Sequence, residues 1–178
     1  MNRNQQIQTA QNQFMRGLQA SPERAVTTSV TRGRVETGLM CHIQQGRYEV
    51  VSDLGSRMGG DGAGPSPSFY ARAGIVGCVA IGIKMAAARS GLDLRTVDVA
   101  VETDMDDGAL FGLGDRSAAP LETRISIAIE TDVDEQAVDA LVQRVLQMDP
   151  WFLALRDAQC VRTQLLIQEP ALENPALG

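Results

Sequence analysis

An α+β domain, built from antiparallel sheets around one long apolar helix, is the fold that the sequence predicts. Three observations carry this expectation. Strand-like stretches come in runs: the order is βββ, long helix, ββ, helix, short helix, β. That order separates the chain from doubly wound α/β proteins, in which strands and helices alternate. The segment from Phe69 to Ala88 offers only Tyr70, Arg72 and Lys84 as strongly polar groups, and a helix that is apolar all round is an interior helix. Finally, 44% apolar and 21% charged residues over 178 positions describe a globular chain long enough to bury a sizeable core.

The elements follow in order. Residues 4–20 place Ile7, Ala10, Phe14 and Leu18 at helical spacing, with a glutamine-rich opposite face. Ser21-Pro22 ends this helix, which we read as an extension, residues 1–23, docking on the domain or on a partner subunit. The domain itself is expected over 24–168, with a tail over 169–178. Its first three strands are read at Ala25–Thr31, Val35–Ile43 and Arg47–Ser52, with a turn at Gln44-Gln45-Gly46. Gly55 to Pro67 is a loop by composition. Ser66 can cap the next helix and Pro67 can occupy its first position, where a missing N–H costs nothing. That helix runs to about Ser90 and ends at Gly91. Leu94–Glu102 and Glu122–Glu130 read as strands, joined by an acidic, glycine-containing linker. Asp132 and Glu135 resemble a capping box, and Val138, Leu141, Val142, Val145 and Leu146 mark one helix face. Asp149-Pro150 breaks that helix and starts a short one at Trp151–Arg156. A last strand is read at Cys160–Gln168.

Charge and composition narrow the function classes. A net charge of −6 and 4% aromatic residues argue against nucleic-acid binding, which needs a basic face and stacking platforms. The N-terminal segment lacks the apolar stretch of a signal peptide, so a cytoplasmic location is expected. The longest apolar run, Ala73 to Ile83, is too short for a bilayer, so no membrane partner is expected. Three cysteines do not make a disulfide framework. Cys41 and His42 are adjacent and would point to opposite faces of a strand; with no metal-ligand spacing elsewhere, no metal site is expected. His42 reads as an ordinary strand residue, and Cys160, in the last strand, as a core residue. The glycine loop lacks the ending of a phosphate-binding loop, and the Asp104–Gly108 run lacks the spacing of a calcium loop.

The long helix holds the most informative pattern. Gly74, Gly77 and Gly82 each cost about 1 kcal/mol relative to alanine in a helix interior, so something needs the space. Gly74, Cys78 and Gly82 share one face. This is either a close-packing surface with Cys78 as a small hydrophobe, or a thiol with room beside it for a ligand. Cys78 lies too deep in the helix for the helix dipole to act on it. Arg72 and Lys84, six residues to either side, point elsewhere, so a cation would have to come from another part of the fold. A helix this apolar needs more cover than one small sheet, so a homodimer is expected.

The stretch Gly59-Gly-Asp-Gly-Ala-Gly-Pro-Ser-Pro67, the helix AGIVGCVAIGI with its central cysteine, the following hairpin, and the helix broken by Asp149-Pro150 before a last strand together resemble the OsmC/Ohr family, over roughly residues 24–168. The resemblance implies an intertwined homodimer around two central helices. It also implies reduction of organic hydroperoxides by two cysteines, with no bound cofactor. By position, Cys78 corresponds to the cysteine that attacks the peroxide. Arg32, with Arg34 as alternative, corresponds to the arginine that pairs with it. Ser68 stands where a glutamate often follows the helix-opening proline. The resolving cysteine usually sits in a Cys-Pro pair; here that pair is Asp149-Pro150. A ligand site of Ser68, Gly74, Gly82 and Asp149 around Cys78 is thereby implied. Sulfenic acid needs a second thiol to close a disulfide. Asp149 cannot supply one, and a carboxylate facing Cys78 would raise the thiol's pKa. Cys160 or Cys41 could substitute only if a strand brought them within disulfide range. The resemblance therefore implies weak or lost peroxidase activity. The alternative is a non-catalytic dimer that holds a small apolar or hydroperoxide ligand.

Overall fold

The computed structural model describes residues 1–167; the expected tail at 169–178 lies outside them. In chain order the elements are α1 (Arg3–Ala20), β1 (Arg32–Val35), β2 (Cys41–Gln45), β3 (Tyr48–Ser52), α2 (Pro67–Ser90), β4 (Leu94–Asp104), α3 (Asp107–Leu110), β5 (Glu122–Thr131), α4 (Glu135–Leu146) and α5 (Pro150–Arg156). The fold is α+β, with two antiparallel sheets, β1-β2-β3 and β4-β5.

Both ends of α2 are written in the sequence. The Ser66 side chain accepts the Phe69 N–H at 3.4 Å, with Pro67 at the first helical position. At the other end Gly91 takes φ +70°, a left-handed conformation that glycine adopts without penalty. Leu92 N–H then donates to the Ala87 carbonyl at 3.0 Å, closing the last turn.

The core lies on one side of α2. Ile75, Val79, Ile83, Ala86 and Ala87 pack with Leu94 of β4 and with Leu141 and Val145 of α4. The sheet contributes one face through period-two alternation: Val97, Val99 and Val101 pair with Ile129, Ile127 and Ile125 and turn toward the helix. The all-round burial expected for α2 is not found within one chain. Phe69, Ile81 and Met85 are exposed, Ile81 by 61%, because β4–β5 and α4 cover only part of its circumference. α2 is long and apolar enough by composition to cross a membrane, yet here one of its faces forms the core of a packed domain.

Four other expectations need correction. The stretch Ala25–Thr31 forms no strand, despite its β-branched content: Ala25 ends a 3-10 turn, and the first strand, four residues long, begins directly after the stretch at Arg32–Val35. The stretch Val35–Ile43 is not one strand, since a turn with Gly38 at φ +80° separates β1 from β2. The cap of α4 is Asp134, which accepts the Ala137 N–H at 3.2 Å; Asp132 instead pairs with Arg95. The last strand is absent between Cys160 and Ile167, where the chain is unpaired and exposed. Gln168 lies outside the described residues.

The loop between β3 and α2 is organised by one buried carboxylate. Asp53 accepts backbone N–H groups from Leu54 at 2.7 Å, Asp61 at 3.1 Å and Ala63 at 3.0 Å. Gly60 and Gly64 are required here: a β-carbon at either would fall within 2.0 Å of Leu54 O or 2.3 Å of Val51 O. The loop is therefore a bracket for the start of α2.

Candidate functional site: the Cys78 groove

Cys78 sits at the third turn of α2, half-buried, in a groove of about 460 Å³ between that helix and the α4–α5 junction. Ile81, Gly82 and Met85 of α2 form one wall, and Val145, Met148 and Pro150 the other. Gly82 is what allows the two walls to approach: a methyl group there would lie 3.1 Å from Val145 Cγ1 and 3.8 Å from Asp149 Oδ2. Gly74 and Gly77 have open space over them, so close packing within the chain accounts for only one of the three glycines.

Asp149 forms the polar end of the groove. It is 4% exposed and caps α5, its Oδ1 accepting the N–H groups of Trp151 at 3.1 Å and Phe152 at 2.8 Å. The same carboxylate faces the thiol. Burial pushes the Cys78 pKa above the ordinary thiol value. Asp149 raises it further, as acceptor for the protonated thiol and as a nearby negative charge, while the Trp151 backbone N–H opposes the rise. The groove thus stabilises thiol over thiolate, the reverse of what an activated nucleophile needs.

Of the residues picked from sequence, the fold brings together Cys78, Gly82 and Asp149. Gly74 is one turn away on the same side, outside the groove. Ser68 is exposed near the start of α2, ten residues from Cys78, or about 15 Å along the helix axis. Arg32 and Arg34 lie on the outer three-stranded sheet, in a separate concavity with His42 and Glu49. Arg72 donates to Thr103 Oγ1 at 3.1 Å, and Lys84 to the Leu94 carbonyl, so both are turned toward β4. Cys41 and Cys160 are free thiols, and neither lines the groove. Among the described residues, no group of three or more His, Cys, Asp or Glu side chains is gathered as a metal would need.

One groove residue escapes a reading limited to near neighbours. Arg89 lines the groove although it is eleven residues from Cys78. Eleven residues is three turns plus about 20°, so positions 78, 82, 85 and 89 share a face. The signal was present in the sequence as an i, i+4, i+7, i+11 series.

A long central helix, a half-buried thiol at its middle, flanking antiparallel strands and a second helix broken by Pro150 define the structural class. The family model described as OsmC-like protein matches residues 59–163, and the chain belongs to that family. No significant match to a curated protein is found. Solved structures agree in fold. An OsmC-like protein from Mycoplasma pneumoniae superposes with a TM-score of 0.63 at 11% identity, covering 73% of this chain and 88% of that one. A putative organic hydroperoxide resistance protein from Vibrio cholerae, with captopril in one of its active sites, gives 0.53 at 17% identity over 74% and 87%. An organic hydroperoxide resistance protein from Legionella pneumophila gives 0.50 at 18% identity over 74% and 90%.

Proposed function

We propose that this chain is a thiol redox protein of the organic-hydroperoxide-resistance type, in which Cys78 is the only reacting thiol and two-cysteine turnover is weak or lost. The observation that carries this is Asp149 against the sulfur. It occupies the helix-capping place before Pro150, raises the thiol pKa and cannot trap a sulfenic acid. The reaction we assign to Cys78 is attack on the distal peroxide oxygen: thiol and hydroperoxide become sulfenic acid and alcohol. One external thiol then condenses with the sulfenic acid, releasing water. A second displaces the mixed disulfide and regenerates Cys78.

The active form in this proposal is a homodimer. The uncovered side of α2, the exposed sheet β1–β3 and the apolar, unpaired segment at 160–167 are surfaces that a second copy would bury. Arg32 would then reach Cys78 across the interface, since within one chain it stands on a different concavity. The raised Cys78 pKa favours a second reading, the same groove holding a small apolar ligand without turnover.

Peroxide treatment followed by mass spectrometry separates the two. A sulfenic acid or mixed disulfide at Cys78, reversed by external thiol, is expected for the redox protein; an inert Cys78 would leave only the binding reading. Asp149→Cys provides the complementary test. It should form a disulfide with Cys78 under organic hydroperoxide and gain dithiol-dependent turnover.

A further inference from the structure

Two apolar surfaces stand uncovered at opposite ends of α2. At its C-terminal end lies α1. Asn4 Nδ2 donates to Asp93 Oδ1 at 3.1 Å, Gln8 Nε2 to the Arg89 carbonyl at 3.1 Å, and Arg89 Nη1 to Gln11 Oε1 at 2.8 Å. These ties all fall in the first half of α1. In its second half Phe14 is 68% exposed. Ala10, Phe14, Gly17 and Leu18 line a hollow of about 680 Å³ together with Arg24 and Thr27. At the N-terminal end of α2 lies the tip of the β4–β5 hairpin, where Arg72 Nη1 donates to Thr103 Oγ1 at 3.1 Å. The tip presents Leu110, Phe111 and Leu113, all exposed. Arg72 and Arg89 are about 26 Å apart along the helix axis, and no tip residue lines the hollow within one chain. The charges of the two surfaces are complementary. Residues 1–22 hold Arg3 and Arg16 and no acidic residue, and Arg24 follows Glu23 at the hollow. The tip carries Asp106, Asp107 and Asp115. Asp106 pairs with Arg116 at 3.6 Å, whereas Asp107, Asp115, Arg16 and Arg24 make no ion pair among the described residues.

The uncovered ridge of α2 supplies the geometry that joins them. Phe69, Ala73, Gly77, Ile81 and Met85 recur every four residues, a row that packs against the same row of a second helix. Phe69, Ala73, Ile81 and Met85 are exposed, and a β-carbon at Gly77 would meet nothing within 4 Å. The row is symmetric about Gly77. Pairs of identical chains are most often related by a twofold axis. An axis crossing α2 at Gly77 sets the two helices antiparallel, with Phe69 of each copy against Met85 of the other. The C-terminal end of one α2 then lies beside the N-terminal end of its partner, which brings the α1 hollow of each copy to the hairpin tip of the other. We propose that α1 is a clasp between copies: the tip Leu110–Leu113 of each subunit seats in the α1 hollow of its partner, with Asp107 and Asp115 facing Arg16 and Arg24. This rests on the reading of the active form as a homodimer joined through the uncovered side of α2. α1 lies outside residues 59–163, so the family match assigns it no role.

The test is a double-mutant cycle on dissociation of the full-length homodimer, read by sedimentation over a concentration series. Phe14→Ser and Phe111→Ser each alter an exposed side chain. Each should raise the dissociation constant about tenfold, the scale of an anchoring aromatic at an interface. The double variant should be no looser than either single one, because each removes the same contact. Arg24→Glu should loosen the dimer severalfold, and adding Asp107→Arg should restore it. In a mixture of Leu18→Cys and Leu113→Cys proteins, a short bis-maleimide should link the two introduced thiols, as identified by mass spectrometry of the joined peptides. Unchanged dissociation in both serine variants, with no link between positions 18 and 113, would overturn the clasp and leave the homodimer standing. Additive losses would place the two aromatics at separate contacts and overturn the clasp as well. A parent that stays at 19.1 kDa at every concentration would overturn the clasp and the homodimer reading together.

Discussion

The two sheets of this molecule obey the same pairing rules and differ in what they rest on. β4–β5 turns Val97, Val99, Val101, Ile125, Ile127 and Ile129 onto α2, and α4 closes the other flank with Leu141 and Val145. β1–β3 is well paired yet leaves every residue of β1 exposed. One tie to α2 is the Tyr70 hydroxyl donating to the Val51 carbonyl at 2.8 Å. One half of the chain is thus a folded unit on its own terms. The other is hydrogen-bonded architecture without a core. Hydrogen bonds contribute modestly to net stability compared with apolar burial, so the second half needs another surface, and the uncovered side of α2 has the same need.

The largest effect that can break this contrast is in the core. Leu141 is 1% exposed, and Leu141→Ala should cost about 2–5 kcal/mol in denaturant unfolding. Val50→Ala in β3 removes a side chain that is 42% exposed within one chain and should cost less than about 0.5 kcal/mol if the chain is a monomer. A cost above 1 kcal/mol for Val50→Ala, on that same scale, would show that a partner covers the sheet. Next in size is the interface itself. Ile81→Arg alters an exposed side chain of α2 and should convert a dimer to a 19.1 kDa species in light scattering. A wild-type protein already at that mass would mean that the exposed faces are covered by something other than a second copy.

The packed half is also the half that could be read from sequence. Ser66, Pro67 and Gly91 mark α2 because caps are local chemistry, and the alternation of β4 and β5 is visible because one face of each is half-buried in the same chain. The outer half was misread where partners decide the outcome. The β-branched stretch 26–31 and the apolar stretch 160–167 have strand propensity, but such propensity depends on a neighbour to pack against, and one chain supplies none. The groove was legible in its thiol, its narrow glycine and its capping Asp149. Arg89 was not found, because a cation three turns away joins the site only when the helix is followed along one face. The charge beside Cys78 was anticipated; that burial contributes even more to the thiol's pKa required the packing of α4 and α5.

A smaller effect concerns the bracket that joins the two halves. Backbone N–H groups of Ala63, Leu54 and Asp61 hold the Asp53 carboxyl below its ordinary value of 3.8, against the opposing effect of burial. The folded state therefore binds this proton less readily than the unfolded chain. Its stabilising contribution is complete above the unfolded pKa and is lost as the pH falls through the folded one. Acid titration below pH about 4 should loosen the 53–64 loop, read by hydrogen exchange at Asp61 and Ala63. Asp53→Asn should show that loosening already at neutral pH and lose its acid dependence. Unchanged protection in the variant would show that the glycine geometry alone holds the bracket.

The smallest expected change is at the thiol, and it isolates electrostatics from packing. Asp149→Asn keeps a side-chain oxygen able to cap α5, since asparagine is as good at that position as aspartate, and it removes the negative charge facing Cys78. Burial, the largest contributor to the raised pKa, is untouched. The midpoint of the pH–rate profile for thiol labelling should therefore move down toward the ordinary thiol value of 9.0 without reaching it. At neutral pH the labelling rate should rise severalfold, because the reagent attacks only thiolate. Thermal stability at neutral pH should stay nearly constant. A profile unchanged from the parent would mean that burial alone holds the thiol protonated, and that Asp149 serves only as the α5 cap. A labelling rate that rises together with a clear loss of stability would instead mean that the junction has opened, and the charge effect would have to be measured in a variant that keeps α5 in place.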